Sequence, residues 1–182
     1  MIGHIHGRFQ PFHDGHLEYV KWAADTADRL IVGITNSDSS HTEKERADSE
    51  RHRPEANPFR YFERFRMVRD AINDSSVDVP VEIHPFPINR PELWKYYAPE
   101  SCVHFVYVLE EWHEVKVRRL RERDRQVYTK RKQRDISASQ IREAMIDDED
   151  WRTHVPSAVV NRIEAIDGQD RVTELAAGER PD

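Results

Sequence analysis

The first sixteen residues, Met-Ile-Gly-His-Ile-His-Gly-Arg-Phe-Gln-Pro-Phe-His-Asp-Gly-His, leave the backbone little choice. The run from Met1 to His6 predicts a short β-strand that ends at Gly7. Pro11 stiffens the turn that follows, and Gly15 lets the backbone approach a ligand before a helix opens at His16. A strand that turns through glycine into a helix is the first half of a βαβ unit. Such a helix start also attracts anions, because its first N–H groups lack intrahelical partners and carry partial positive charge. His13, His16 and Arg8 add donors suited to phosphoryl oxygens, which makes the segment a candidate nucleotide-handling motif.

The first 110 residues continue the alternation. A helical pattern over 16–27 is followed by an apolar strand over 29–35. A second helix is expected to open with Asn57 as N-cap and Pro58 at its first position, with Phe59, Phe62, Phe65, Met67 and Val68 forming its apolar stripe up to Ala71. Residues 79–86 and 103–109 supply further strands, and the second has the near-continuous apolar character of a parallel strand covered on both faces. The expected fold is therefore α/β: a Rossmann-like, doubly wound parallel sheet, with ligands beyond the carboxyl ends of its strands.

The remainder divides into a polar loop over 37–56, read as a mobile active-site loop, and a segment over 116–134 with ten basic and two acidic residues, read as partly helical. Two helices are expected over 137–145 and 157–166, with caps at Ser137 or Ser139 and at Ser157. From Gly168 onward the composition predicts little order. The expected organisation is a core over 1–135, phosphate-binding C-terminal helices over 136–168 and a disordered tail over 169–182.

Composition narrows the partners. A chain of 182 residues with 37% hydrophobic content suits one domain, and a net charge of −6 argues against broad attraction to nucleic acid or an anionic membrane. Its one cysteine, Cys102, excludes an internal disulfide framework and reads as a buried small hydrophobe. No apolar run approaches the roughly 18 residues that span a bilayer, and the N-terminus lacks a secretory pattern, so a cytoplasmic protein is expected. Assembly into a homo-oligomer stays open.

His13-Asp-Gly-His16 resembles the HxGH signature of the nucleotidyltransferase superfamily, and Gly7-Arg-Phe9-Gln-Pro-Phe-His13 is similar to the archaeal-type nicotinamide mononucleotide (NMN) adenylyltransferases. The likeness extends through Ser40-His41-Thr42, Asn57-Pro58-Phe59 with Glu63-Arg64, Ile88 with Leu93-Trp94, Ile136-Ser-Ala-Ser-Gln-Ile-Arg142 and Asp147 to Arg152. The resemblance implies attack by an acceptor phosphate oxygen on the α-phosphate of a nucleoside triphosphate, with pyrophosphate leaving. Mg²⁺ would be held by the phosphates and by no direct protein ligand. Catalysis of this kind rests on positioning and charge neutralisation. By the same resemblance His13, His16 and Arg142 are catalytic. Gly7, Arg8, Phe9, Gly15, Arg64, Ser137 and Ser139 bind nucleotide or phosphate, and Trp94, Ile88 and His41 form the acceptor pocket.

The departures concern recognition. The relatives place an asparagine three residues before the tryptophan, where it reaches the nicotinamide amide; here stands Pro91, which offers neither an amide side chain nor an N–H. After the 103–107 strand, a Ser-Gly/Asn-Asn-Pro turn gives way to Val108-Leu-Glu-Glu-Trp112. The usual Phe-Thr-Ala-Gly-Glu-Arg is Phe59-Arg-Tyr-Phe-Glu-Arg64, and Ala138-Ser139 replaces Gly/Ser-Thr. Three functions follow: transfer of CMP or AMP from CTP or ATP to a small phosphate- or phosphonate-bearing metabolite, NMN adenylylation, or a non-catalytic nucleotide-binding module. The His-x-His and His-x-x-His spacings of His4, His6, His13 and His16 also occur in zinc sites. For His4 and His6, which share one strand face, the simpler reading is a core or pocket-lining role. Trp112 and Trp151 read as structural, and the basic segment as a solvated face from which one or two arginines reach phosphate.

Overall fold

Ile2–Gly7 (β1), Arg29–Ile34 (β2), Val81–Pro85 (β3), Val103–Val108 (β4) and Gln126–Arg131 (β5) form one sheet in the order β3-β2-β1-β4-β5, all parallel. The computed structural model describes residues 1–37, 53–109, 111–133 and 135–178. Every residue of β4 and all but the first of β2 are buried, as expected of strands covered on both faces, whereas β5 is an exposed edge.

One face carries the larger core. Tyr19, Val20 and Ala23 of Asp14–Ala24 (α1) and Met67, Val68, Ala71 and Ile72 of Tyr61–Asn73 (α2) pack there with Ile5, Val32 and Phe105. The same core continues into the C-terminal helices Ala138–Ile146 (α4), Ser157–Glu164 (α5) and Gly168–Ala176 (α6) through Ile141, Met145, Val159, Ile163 and Val172. On the other face Phe86, Trp94, Cys102, Val106 and Val108 pack with Val117 and Leu120 of Glu111–Arg121 (α3). The chain leaves β1 toward β2 and β3, then crosses to β4 on β1's other side. The sheet is thus doubly wound, as the sequence predicts, with its switch point between β1 and β4.

Besides α1, which opens at Asp14 instead of His16 because His13 takes the cap position, four elements differ from expectation. The second helix begins at Tyr61, and residues 54–56 form a single 3₁₀ turn that ends at Asn57. The cause is Gln10: its amide donates to the Phe59 carbonyl and accepts from the Phe59 N–H, each at 2.9 Å, which holds Phe59 out of helical pairing. Glu63 then caps the helix by accepting from the Arg60 N–H at 2.8 Å. The basic segment splits into the end of α3 and the edge strand β5, which ten cations mask as a pattern. Ser157 is the first residue of α5, and Pro156 takes the cap position.

The fourth difference is the tail: residues 168–176, expected to be disordered, form α6. Trp151 donates its indole N–H to Gln169 at 2.9 Å, Gln169 donates onward to the Met145 carbonyl at 3.1 Å, and Arg171 pairs with Glu63 at 2.7 Å. Val172 is 2% exposed. A two-turn helix is easily missed when its stabilisation is tertiary. Truncation after Asp167 should therefore uncover Trp151 and lower stability by about 3 kcal/mol. A denaturant midpoint unchanged by that truncation would show that α6 contributes nothing.

Candidate functional site

Two helix starts meet beyond the carboxyl end of β1. His13 is the N-cap of α1 and lies 6% exposed, with extended backbone (φ −139°). Its N–H donates to Nδ1 of His16 at 3.3 Å, and the two imidazoles lie 3.7 Å apart between centroids. Because Nδ1 of His16 accepts a backbone proton, the neutral ring carries its own proton on Nε2, which leaves that nitrogen as the donor. The first intrahelical bonds come from the amides of His16 and Leu17, so those of Asp14 and Gly15 precede the ladder. Glycine at 15 eases the fit: a Cβ there would sit 3.1 Å from the His13 ring, which would have to yield by a few tenths of an ångström.

The second start is that of α4. Ser137 caps it, accepting from the Gln140 N–H at 3.2 Å while its own N–H and hydroxyl donate to the Gln140 side chain at 2.9 Å. Arg142, buried at 8% exposure, donates to the Gln10 carbonyl at 2.7 Å and to the Ser139 hydroxyl at 3.3 Å. Those bonds pin α4 to the β1–α1 loop, and Ile136 comes within 4.0 Å of where a Gly15 Cβ would be. Two sets of leading amides, two imidazoles and a guanidinium therefore converge where a polyanion is favoured.

The expected residues fall into different roles. His13, His16, Gly15, Ser139 and Arg142 are brought together. The Ser137 hydroxyl, expected on phosphate, is engaged in the helix cap. Arg64, also expected there, is engaged with backbone carbonyls. It is 1% exposed, and its guanidinium donates to the carbonyls of Arg8 (2.8 Å), Thr35 (2.7 Å) and Asn36 (2.6 Å). Burial pushes its pKa down to about 10. It ties the ends of β1 and β2 to α2 and acts as a brace. Phe9, at φ 53°, folds over Gly7 and packs on Phe12 and His16, so it shapes the turn from within the core. Arg8 donates to the Ala56 carbonyl at 3.3 Å.

The acceptor-pocket expectations divide as well. Trp94 is 1% exposed, stacks on Phe86 and donates its N–H to Pro87 at 3.0 Å. It is a core residue behind the cleft and offers no open face to a flat ring. Ile88 packs at the margin of the same cluster. His41 and residues 38–52 of the polar loop lie outside the described residues. Sequence reasoning missed Gln10, whose clamp on Phe59 is visible only once α2 is placed. A cavity of about 340 Å³ opens at the ends of β4 and β5, lined by Val108, Leu109 and Glu111 of the segment the sequence marked as a departure, together with Glu114 and Arg131, which it did not mark.

The cytidylyltransferase-like family model matches residues 5–144, from β1 through Arg142 into α4. The chain belongs to that family. A phosphonoformate cytidylyltransferase of Streptomyces viridochromogenes is 36% identical over 173 residues, covering 93% of this chain and 94% of that one. A nicotinamide-nucleotide adenylyltransferase of Haloarcula marismortui is 32% identical, covering 97% and 87%. The fold matches the crystal structure of a bifunctional NMN adenylyltransferase/ADP ribose pyrophosphatase from Francisella tularensis with TM-score 0.68 and 17% identity, over 97% of this chain and 52% of that one. This cytidylyltransferase-like chain is accordingly a nucleotidyltransferase, and its matched segment contains every residue that converges at the two helix starts. No helix among the described residues is long and apolar enough to cross a membrane.

The brace has a measurable consequence. Arg64→Ala leaves three inward carbonyls without their charged donor and should cost about 3 kcal/mol of stability. Urea unfolding reads this directly, and a loss below about 0.5 kcal/mol, the usual scale of a neutral surface change, would contradict the brace.

Proposed function

We propose that this enzyme transfers CMP or AMP from its triphosphate to a small phosphate- or phosphonate-bearing metabolite and releases pyrophosphate. The observation that carries the proposal is the meeting of the α1 and α4 starts around His13, His16 and Arg142. The leading amides hold the triphosphate, His16 Nε2–H and His13 donate to oxygens that gain charge as the α-phosphate is displaced, and Arg142 balances that charge through Ser139. The motif carries one carboxylate, Asp14, too few for a protein-built Mg²⁺ cage, so Mg²⁺ would enter as part of the MgNTP substrate. Without a protein nucleophile, the reaction proceeds by direct attack of the acceptor oxygen.

Two features bear on the substrates. Glu111 lines the cavity at the ends of β4 and β5 beside Glu114, which is ion-paired with Arg131, and the Glu111 carboxylate accepts from the exocyclic amino group that cytosine and adenine carry and uracil lacks. Pro91 opens a 3₁₀ turn that carries the buried Trp94, so the position has no donor for a nicotinamide amide. Nearly full-length likeness to a phosphonoformate cytidylyltransferase supports CTP and a small phosphonate as the pair to test first. Such a reaction fits a cytoplasmic protein, where nucleoside triphosphates are available.

A pyrophosphate-release screen pairing ATP, CTP, GTP and UTP with NMN, nicotinate mononucleotide and small phosphonates tests this reading. Turnover is expected with CTP or ATP and a phosphonate, whereas robust ATP-dependent NAD formation would replace it. His16→Ala should reduce turnover about 10²-fold or more, on the scale of losing one transition-state hydrogen-bond donor. Unchanged turnover would remove His16 from the reaction. Pro91→Asn should increase use of NMN; an NMN rate equal to that of the parent chain would take Pro91 out of acceptor choice.

A further inference from the structure

On the sheet face away from α1 and α2, three imidazoles lie together that the transfer reaction does not use. His4 and His6 alternate with Ile5 along β1, and His104 is the register partner of His4 on β4. All three are buried, at 0%, 4% and 0% exposure. Nδ1 of His4 lies 3.0 Å from Nδ1 of His104, and one ligand atom from each of the three falls within 4.8 Å of the others. Of the four histidines noted in the N-terminal motif, only His4 and His6 belong to this group.

Their polar atoms are incompletely satisfied. Nε2 of His4 and both ring nitrogens of His6 have no partner among the described residues. A buried polar group left so costs about 1–3 kcal/mol, an unusual burden to place twice on one face. The surroundings also make room for the rings. A Cβ at Gly33, the register partner of His6 on β2, would stand 3.1 Å from His4 Nε2 and 2.7 Å from Phe86. His104 Nε2 faces the Cys102 sulfur at 3.6 Å, the outer contact that fixes a ligating imidazole's tautomer.

We propose that His4, His6 and His104 form a binding site for one divalent late first-row transition-metal ion. Two imidazole nitrogens on a tetrahedral ion stand about 3.3 Å apart, so the His4–His104 pair is already near bonding geometry and a modest rotation of the His6 ring closes the set. The group contains no carboxylate, which selects Zn²⁺, Co²⁺ or Ni²⁺ over Mg²⁺ or Ca²⁺. Burial holds all three rings in the neutral, ligating form, His104 down to about 3. The nearby cations Lys116 and Arg125 favour an anion or hydroxide in the fourth position.

The test uses the full chain without a histidine tag, stripped by chelator and titrated with Zn²⁺ and Co²⁺ by equilibrium dialysis. One ion per chain is expected, with visible Co²⁺ absorption of low coordination number and a higher melting temperature when loaded. His6→Leu and His104→Gln should each weaken binding about 100-fold or more, while His154→Gln, outside the group, should not. Wild-type protein that takes up no stoichiometric ion overturns the proposal whatever the variants do, as does uptake that survives both substitutions in folded protein. The result is independent of which substrates the enzyme turns over.

Discussion

A single buried guanidinium holds the reaction end of the sheet in place. The loops that leave β1 and β2 present the buried carbonyl of Thr35 and the part-buried carbonyls of Arg8 and Asn36, and Arg64 reaches all three from α2. Around it the contacts interlock: Gln10 clamps Phe59, and Arg142 of α4 seizes the Gln10 carbonyl. The cleft floor is thus braced by positive side chains whose partners are carbonyl dipoles. Such pairing leaves the net charge in place, and the field it sets up favours a polyanionic substrate above it.

The fold was legible in the sequence because its strands obey simple rules. Residues 103–108 are apolar but for His104, close to what a doubly covered parallel strand requires, and Gly7 and Gly15 punctuate the first βα turn. The location of the candidate site was legible as well, since His13 and His16 stand at the start of α1 and Arg142 lies one turn into α4, whose leading amides the sequence also marks. What escaped notice depends on contacts across long stretches of chain. Asn57-Pro58 has every local mark of a helix start, yet Gln10 overrides it by clamping Phe59 from 49 residues away. Ser137 and Arg64 are residue types that bind phosphate as readily as they cap a helix or carbonyls, and composition cannot choose between those uses. The helix α6 hid because a short polar sequence acquires its order from Trp151 and Glu63.

The same distinction separates reaction from recognition. Groups that stabilise developing charge are backbone amides and a few obligatory side chains, so their pattern survives in sequence. Groups that choose an acceptor or a base are supplied by surfaces with many solutions. Trp94 shows the difficulty: as an exposed ring it would define the acceptor, but stacked on Phe86 and bonded to Pro87 it acts through the position of the turn that carries it. The buried indole leaves the cavity at the ends of β4 and β5 as the more open surface.

The strand order carries a consequence for biogenesis. Because β1 lies between β2 and β4, the first strand made is the one whose second neighbour arrives about a hundred residues later, and the bond from Arg142 to Gln10 spans 132 positions. Contacts of such separation form late, after much loop entropy has been surrendered. A chain made only as far as β3 therefore carries β1 with one of its two strand neighbours, and the tie from Arg142 to Gln10 that fixes α4 against the first loop is added only after β4 and β5.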